Sequence, residues 1–202
     1  MKILKYLTLA LAVSLSTISL KAQEQNSEKD VPVDFKLQLK NMHLWRGLQV
    51  TNSAVAATDI SVSTKNKMFT FGLWGGAGID GEYKEFDYYA SFQHKGFKLA
   101  VWDVYNFSKG AEYGDGKGGI KELKLFNYRG RETAHFIDVS ASYTFQGNFP
   151  LTIGWATVVH GRDRGFSNEK NLYSSYVSAS YPVLRDKFID LELGIAGAFA
   201  LD

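Results

Sequence analysis

Between Val33 and Leu201 the chain divides into about nine stretches, each of about 9 to 15 residues, in which apolar and polar side chains alternate. Successive side chains of a β-strand point to opposite faces, so a period of two means a sheet with two different environments. A soluble sandwich gives the same alternation, but its strands usually run about five or six residues. Strands of about 9 to 11 residues, tilted about 45°, are what a hydrocarbon layer of about 30 Å demands. The pattern predicts an all-β fold, an antiparallel transmembrane β-barrel, over residues 33–202.

Parity along each stretch can be tested against that reading. Val33, Phe35, Leu37 and Leu39 share one face, while Asp34, Lys36, Gln38 and Lys40 share the other. If the first face meets lipid and the second the lumen, no charge is misplaced; a Lys facing lipid at mid-bilayer would cost about 2 to 4 kcal/mol. The same sorting sets Ala56, Ile60 and Val62 against Asp59, Ser61 and Ser63, and Phe86, Tyr88, Ala90 and Phe92 against Glu85, Asp87 and Ser91. It sets Ile137, Val139, Ala141 and Tyr143 against Asp138, Ser140 and Ser142, and Ile189, Leu191, Leu193 and Ile195 against Asp190 and Glu192. One stretch, Phe97 to Phe107, resists: Asp103 shares parity with Leu99, Val101 and Tyr105. A β-bulge after Val101, turning Trp102 and Val104 outward, is the expected remedy.

The first 22 residues have the form of an export signal: Lys2 and Lys5, an uncharged run from Tyr6 to Leu20, then Leu20-Lys21-Ala22 as the cleavage site. That run is short for a helical span of about 20 residues. Residues 1–22 are therefore set apart from the fold, and 23–32 read as a disordered polar lead-in. Removing 1–22 takes away Lys2, Lys5 and Lys21 and no acid, so the formal charge falls from +2 to −1. No basic balance argues for nucleic acid. Without Cys there is neither a disulfide framework nor a thiolate metal site.

Short connections at Lys65 to Lys67, His94 to Gly96, Gln146 to Asn148 and Pro182 to Lys187 alternate with longer ones at Gly47 to Ser53, Ser108 to Gly130 and Gly161 to Lys170. That asymmetry is the habit of outer-membrane barrels, and the Ile79 to Gly81 connection, short on the long-loop side, departs from it. Trp45 and Tyr105, near strand ends on the long-loop side, are candidates for an interfacial aromatic belt. Gly76-Ala77-Gly78-Ile79-Asp80-Gly81 has the glycine spacing of a dinucleotide loop, but it precedes a strand and not a helix, so a hairpin loop is expected. His43, His94, His135 and His160 are dispersed, with no metal-ligand spacing, and nothing couples His160 to a nucleophile. No enzyme and no cofactor are expected.

The inward parity collects Lys36, Lys40, Arg46, Asp59, Glu85, Asp87 and Asp138, which are expected to line the lumen. Arginine among carboxylates makes charge-assisted, often bidentate hydrogen bonds, so Arg46 is expected to tie the first outer loop to acids such as Glu85 or Asp87.

Asn41-Met42-His43-Leu44-Trp45-Arg46-Gly47-Leu48 resembles the Asn-x-Tyr-x-aromatic-Arg-Gly-Ile/Leu stretch of the TorF-like porin family, small barrels of the Gram-negative outer membrane, with His43 where Tyr is commoner. Phe71-Gly72-Leu73-Trp74, Glu85-Phe86-Asp87-Tyr88-Tyr89, Tyr176 to Pro182 and Asp190-Leu191-Glu192-Leu193-Gly194 support the resemblance over residues 33–202. It implies membrane lipid as surroundings and passive diffusion of small polar solutes or ions. Such barrels usually end on a terminal aromatic and have an even strand number of about 8 or more. The odd count and the end at Leu201-Asp202 lead to the expectation of a C-terminally truncated product whose complete form has 10–12 strands. Two alternatives stand beside the channel. One is a closed structural or ligand-binding barrel acting through loop 108–130, with Lys109, Lys117, Lys121, Lys124, Tyr113, Phe126 and Tyr128. The other is a soluble lipocalin-like barrel, which requires an apolar interior and a polar exterior.

Overall fold

A computed structural model of the chain describes residues 17–21, 32–109, 113–114, 120–121, 123–164, 170–186 and 189–201, and for 17–21, 113–114 and 120–121 the backbone alone. The elements in chain order are β1 (Thr17–Lys21), β2 (Val33–Lys40), β3 (His43–Trp45), β4 (Leu48–Thr51), β5 (Val55–Ser63), β6 (Phe69–Gly78) and β7 (Lys84–His94). They continue with β8 (Phe97–Asn106), β9 (Tyr113–Gly114), β10 (Ile120–Lys121), β11 (His135–Thr144), β12 (Thr152–Gly161), β13 (Ser175–Arg185) and β14 (Asp190–Phe199). Ten of them form one sheet in the order β1-β2-β5-β6-β7-β8-β11-β12-β13-β14, and β3-β4 and β9-β10 form two small ladders at its side. All pairings are antiparallel, and among the described residues none joins β1 to β14.

The nine alternating stretches of the sequence are β2, β5, β6, β7, β8, β11, β12, β13 and β14. The tenth strand, β1, comes from the segment read as an export signal: Thr17–Lys21 runs beside β2 from Thr17↔Lys40 to Lys21↔Lys36. An unpaired strand presents a row of N–H and C=O groups, and the nearest extended chain supplies their partners. The rest of 1–22, and the lead-in apart from Pro32, lie outside the described residues.

Burial follows parity. Along β5, Val55, Ala57, Asp59 and Ser61 are buried, while Ala56, Thr58, Ile60 and Val62 are exposed. Phe69, Phe71 and Leu73 of β6, Leu99 and Val101 of β8, and Ile153 and Trp155 of β12 stand on the exposed face. Asp59, Asp87 and Asp138 are each 9% exposed or less on the other. This inverts a soluble domain, which hides its large apolar side chains and leaves its acids in water.

The buried face is not wholly polar, as a water-lined lumen would be. Val55, Ala57, Trp74 and Tyr83 form a small core, with Trp102 packed against it. Below it Gly72 makes room for Tyr89, its cross-strand partner. The Tyr89 hydroxyl donates to both carboxylate oxygens of Asp59 (3.1 and 3.2 Å), and the ring stacks on Trp102 with centroids 4.1 Å apart.

Three local expectations are corrected. β8 carries no bulge: it is in unbroken register with β7 and β11, Trp102 and Val104 face inward, and Asp103 stays outward. The irregularity lies in the next ladder, where Ile137↔His160 is followed by Asp138↔Val158 and Val159 is the extra residue. Gly47 to Ser53 is not a plain loop, since Leu48–Thr51 folds back on His43–Trp45. Pro182 does not end its strand: β13 runs to Arg185, and Pro182, which has no N–H to donate, lies past the last β12 partner, with an irregularity after it.

A Cβ on Gly72 would collide with the Tyr89 ring, so Gly72→Ala should push Tyr89 off Asp59 and cost about 1 to 3 kcal/mol in urea unfolding. At Gly75 the added carbon would lie 3.8 Å from Phe86, an ordinary contact, and Gly75→Ala should stay within about 0.5 kcal/mol of the parent.

Candidate functional site

The site is built by the hairpin that follows β2. Arg46 and Gly47 both have positive φ, +50° and +83°, and join the paired residues Trp45 and Leu48. A two-residue turn of this kind matches the right-handed twist of its strands, and glycine suits its second position. Arginine at positive φ is uncommon, so something outside the turn must hold it. Arg46 donates two hydrogen bonds to Asp138 of β11, Nη1 to Oδ1 at 2.8 Å and Nη2 to Oδ2 at 2.5 Å. Its guanidinium also lies 4.5 Å from the Trp45 ring centre and 5.6 Å from that of Tyr176 in β13. The expected partners, Glu85 and Asp87, are corrected to Asp138. The hairpin reaches across the curved sheet to the far wall, while β7 stands beside its base.

The hairpin's near end is held by rings. His43 stacks between Trp74 and Tyr83, with centroids 5.7 and 5.4 Å away, and Lys40 Nζ lies 3.4 Å from His43 Nδ1. Burial, and then the Lys40 ammonium, holds the His43 imidazole down at about 4, so it is neutral at neutral pH. Burial likewise pushes the Tyr83 phenol well up. Trp45 packs on Phe136 of β11 at 5.5 Å and so faces inward, not into a membrane interface.

Beneath the hairpin is a cavity of about 820 Å³. Of the seven residues expected to line a lumen, Lys40, Arg46, Glu85, Asp87 and Asp138 line it. Lys36 and Asp59 share the concave face but stand outside the cavity: Lys36 pairs with Asp34 at 3.1 Å, and Asp59 holds Tyr89. Trp74, Tyr83, Trp102 and Asn106 complete its near wall. Selection by charge passed over Trp74, Tyr83 and Asn106, and the expected bulge turned Trp102 away from the cavity; strict parity along β6 and β8 was the available signal.

The acids of the cavity differ in how they are satisfied. Asp138 has Arg46; Glu85 accepts a hydrogen bond from Asn106 at 3.0 Å; Glu82 pairs with Lys109 at 2.9 Å; Asp163 accepts from the Ser174 amide and hydroxyl, both at 2.6 Å. Asp87 is 4% exposed, and among the described residues its Oδ1 has no hydrogen-bond partner; nor has the buried hydroxyl of Tyr83.

A second cluster lies on the outer face, where residues 123–134 cover the ends of β8 and β11. The outward Asp103 meets His135 Nδ1 at 2.6 Å and accepts from the Tyr128 hydroxyl at 2.7 Å. His135 Nε2 lies 2.7 Å from the Leu125 carbonyl oxygen, and the ring stacks on Tyr105 at 4.5 Å. His135 is 0% and Tyr105 7% exposed, so Tyr105 is no belt residue either. His160 Nε2 lies 2.9 Å from the Tyr128 carbonyl oxygen. Because an imidazole and a phenol cover the carboxylate, Asp103 needs no bulge. Of the loop residues named for ligand contact, Lys117 lies outside the described residues, and only the backbone is described at Tyr113 and Lys121. Comparison with family models, with curated proteins and with solved structures finds no match to this chain.

Arg46 and Asp138 keep 15% and 6% of their side chains exposed. Removing either partner, Arg46→Ala or Asp138→Ala, should cost about 3 to 5 kcal/mol by stranding the other charge. The double variant should cost less than the two singles together in urea unfolding. For His43, protonation favours the unfolded chain, whose imidazole titrates near about 6.5. The ring-stacked hairpin should be fully stable above that pH and weaken as pH falls toward about 4, with the His43 resonance titrating near about 4 by NMR.

Proposed function

We propose that the chain is an outer-membrane, porin-like β-barrel through which small polar solutes or ions diffuse passively. The observation that carries this reading is the inversion of the sheet, with apolar side chains exposed on strands of 9 to 11 residues and, on β5, β7 and β11, the acids Asp59, Asp87 and Asp138 buried behind them. At about 3.3 Å per residue and a tilt of about 45°, ten residues rise about 23 Å, the height of the apolar band of such barrels. The likeness of residues 41–48 to the TorF-like porin family points the same way. In hydrocarbon the edges of β1 and β14 would leave unsatisfied backbone groups at several kcal/mol each, so this reading requires both edges to be paired in the bilayer. The export signal over residues 1–22 belongs to the same proposal.

Diffusion needs no catalytic group, only a wet path. The second reading, a closed structural or ligand-binding barrel, is favoured by one feature: Tyr89, Trp102 and Asp59 fill the concave face below the cavity. Narrow barrels of about eight strands fill their interiors with side chains, and wider ones leave a channel.

Single-channel recording in a planar bilayer separates the two: the channel reading expects discrete conductance steps, and silence across ions and uncharged solutes removes it. The orientation of the wall has its own test. Leu73→Lys, at an exposed position in the middle of β6, should destabilise the bilayer-inserted protein by about 2 to 4 kcal/mol, whereas a wall facing water would accept the lysine with little change.

A further inference from the structure

We propose that the cavity beneath the β3-β4 hairpin binds a small organic cation, a protonated amine, through the carboxylate of Asp87 and the hydroxyl of Tyr83, against the rings of Trp74 and Trp102. This deepens the porin-like reading by naming the class of solute, and it rests on that reading only for how the solute arrives.

Three observations converge. Asp87 is the cavity acid with an orphan oxygen among the described residues: Oδ1 lacks a partner although the residue is 4% exposed. A buried acceptor left unmade is unfavourable, so a ligand that brings an N–H gains a charge-assisted hydrogen bond where none existed. Tyr83, 3% exposed, lines the same cavity, and its hydroxyl is a second buried polar atom with no hydrogen bond among the described residues.

The second observation is the chemistry of the walls. Trp74, Tyr83 and Trp102 are aromatic, and cations are drawn to ring faces within about 6 Å. The molecule already uses this contact, since Lys40 Nζ lies 5.5 Å from the Trp74 centroid. His43, stacked between two of the lining rings, is neutral at neutral pH and does not repel a cation.

The third is size. A cavity of about 820 Å³ falls within the range of about 300 to 1,000 Å³ typical of small-molecule sites, large enough for an alkylamine and its water. Beside Asp87 an anion is disfavoured, because Glu85 lies two residues away on the same inward face; of the cations that line the cavity, Arg46 is paired with Asp138, Lys109 with Glu82, Lys40 stands over the Trp74 ring, and Arg162 lies near Glu85.

Trp74 and Trp102 report on the site directly. The folded chain in detergent micelles would be titrated with butylammonium, 1-butanol and butyrate while tryptophan emission is recorded. Saturable quenching by butylammonium at concentrations at least about tenfold below those needed for the alcohol or the acid is expected, since a hydrogen bond to a charged group carries about that much selectivity. Asp87→Asn should abolish the difference between amine and alcohol, while Asp190→Asn, on the exposed β14, should keep it. If Asp87→Asn does not fold by heat-modifiable migration, Tyr83→Phe, which keeps the ring and loses the hydroxyl, should weaken butylammonium a few-fold. Equal quenching by amine and alcohol, or a Tyr83→Phe and an Asp87→Asn protein that both bind like the parent, overturns the proposal. Binding in micelles with no bilayer conductance keeps the amine site and removes the channel; conductance without amine binding does the reverse.

Discussion

Each strand of the main sheet pairs with the next strand of that sheet in the chain, antiparallel, so the face a side chain occupies depends on parity and on nothing more distant. A slip of one residue would turn every apolar side chain of a strand inward and every acid outward. The unbroken registers of β5 with β6, β6 with β7 and β7 with β8 therefore carry the inversion around the wall. In the β11-β12 ladder, which slips opposite Ile137 and Asp138, the extra residue is Val159, an apolar side chain on the exposed face. Asp138 keeps its inward direction, and with it the partner of Arg46.

Side chains divide the concave space into levels. Gly72 lets Tyr89 lie across the sheet to Asp59, and Tyr89 supports Trp102; the hairpin closes over the top, fastened to β11 and β13 by Arg46 and to Trp74 and Tyr83 by His43. The cavity is what remains between these levels. Desolvating Arg46 and Asp138 is unfavourable in itself, and a bidentate pair offsets it only when its geometry is held. Positive φ at Arg46 and at Gly47 supplies that geometry by turning the hairpin tip toward β11.

The outer cluster shows the same economy of charge. Asp103 stands on the exposed face among Leu99 and Val101, where parity puts it. His135 and Tyr128 cover it, drawing residues 123–134 down over the ends of β8 and β11 and burying Tyr105 with them. A charge misplaced by the repeat thus becomes the anchor of a loop.

How much was legible in the residues follows from range. Strand positions, their faces outside β8, and Lys40, Arg46, Glu85, Asp87 and Asp138 of the cavity were readable from Val33 to Leu201, because a period of two is a local property that each strand expresses alone. The partner of Arg46 was not, since Asp138 lies 92 positions away and only the curvature of the sheet brings it closer than Glu85 or Asp87. Nor was the fate of Asp103: a bulge and a covering imidazole are equally compatible with its parity, and the choice depended on where His135 and Tyr128 come to rest. The sequence by itself determined which stretches alternate as strands and, outside β8, which face each side chain takes; only the tertiary structure decided that β8 keeps its register and which inward groups meet across the hollow, because that depends on how ten strands bend together.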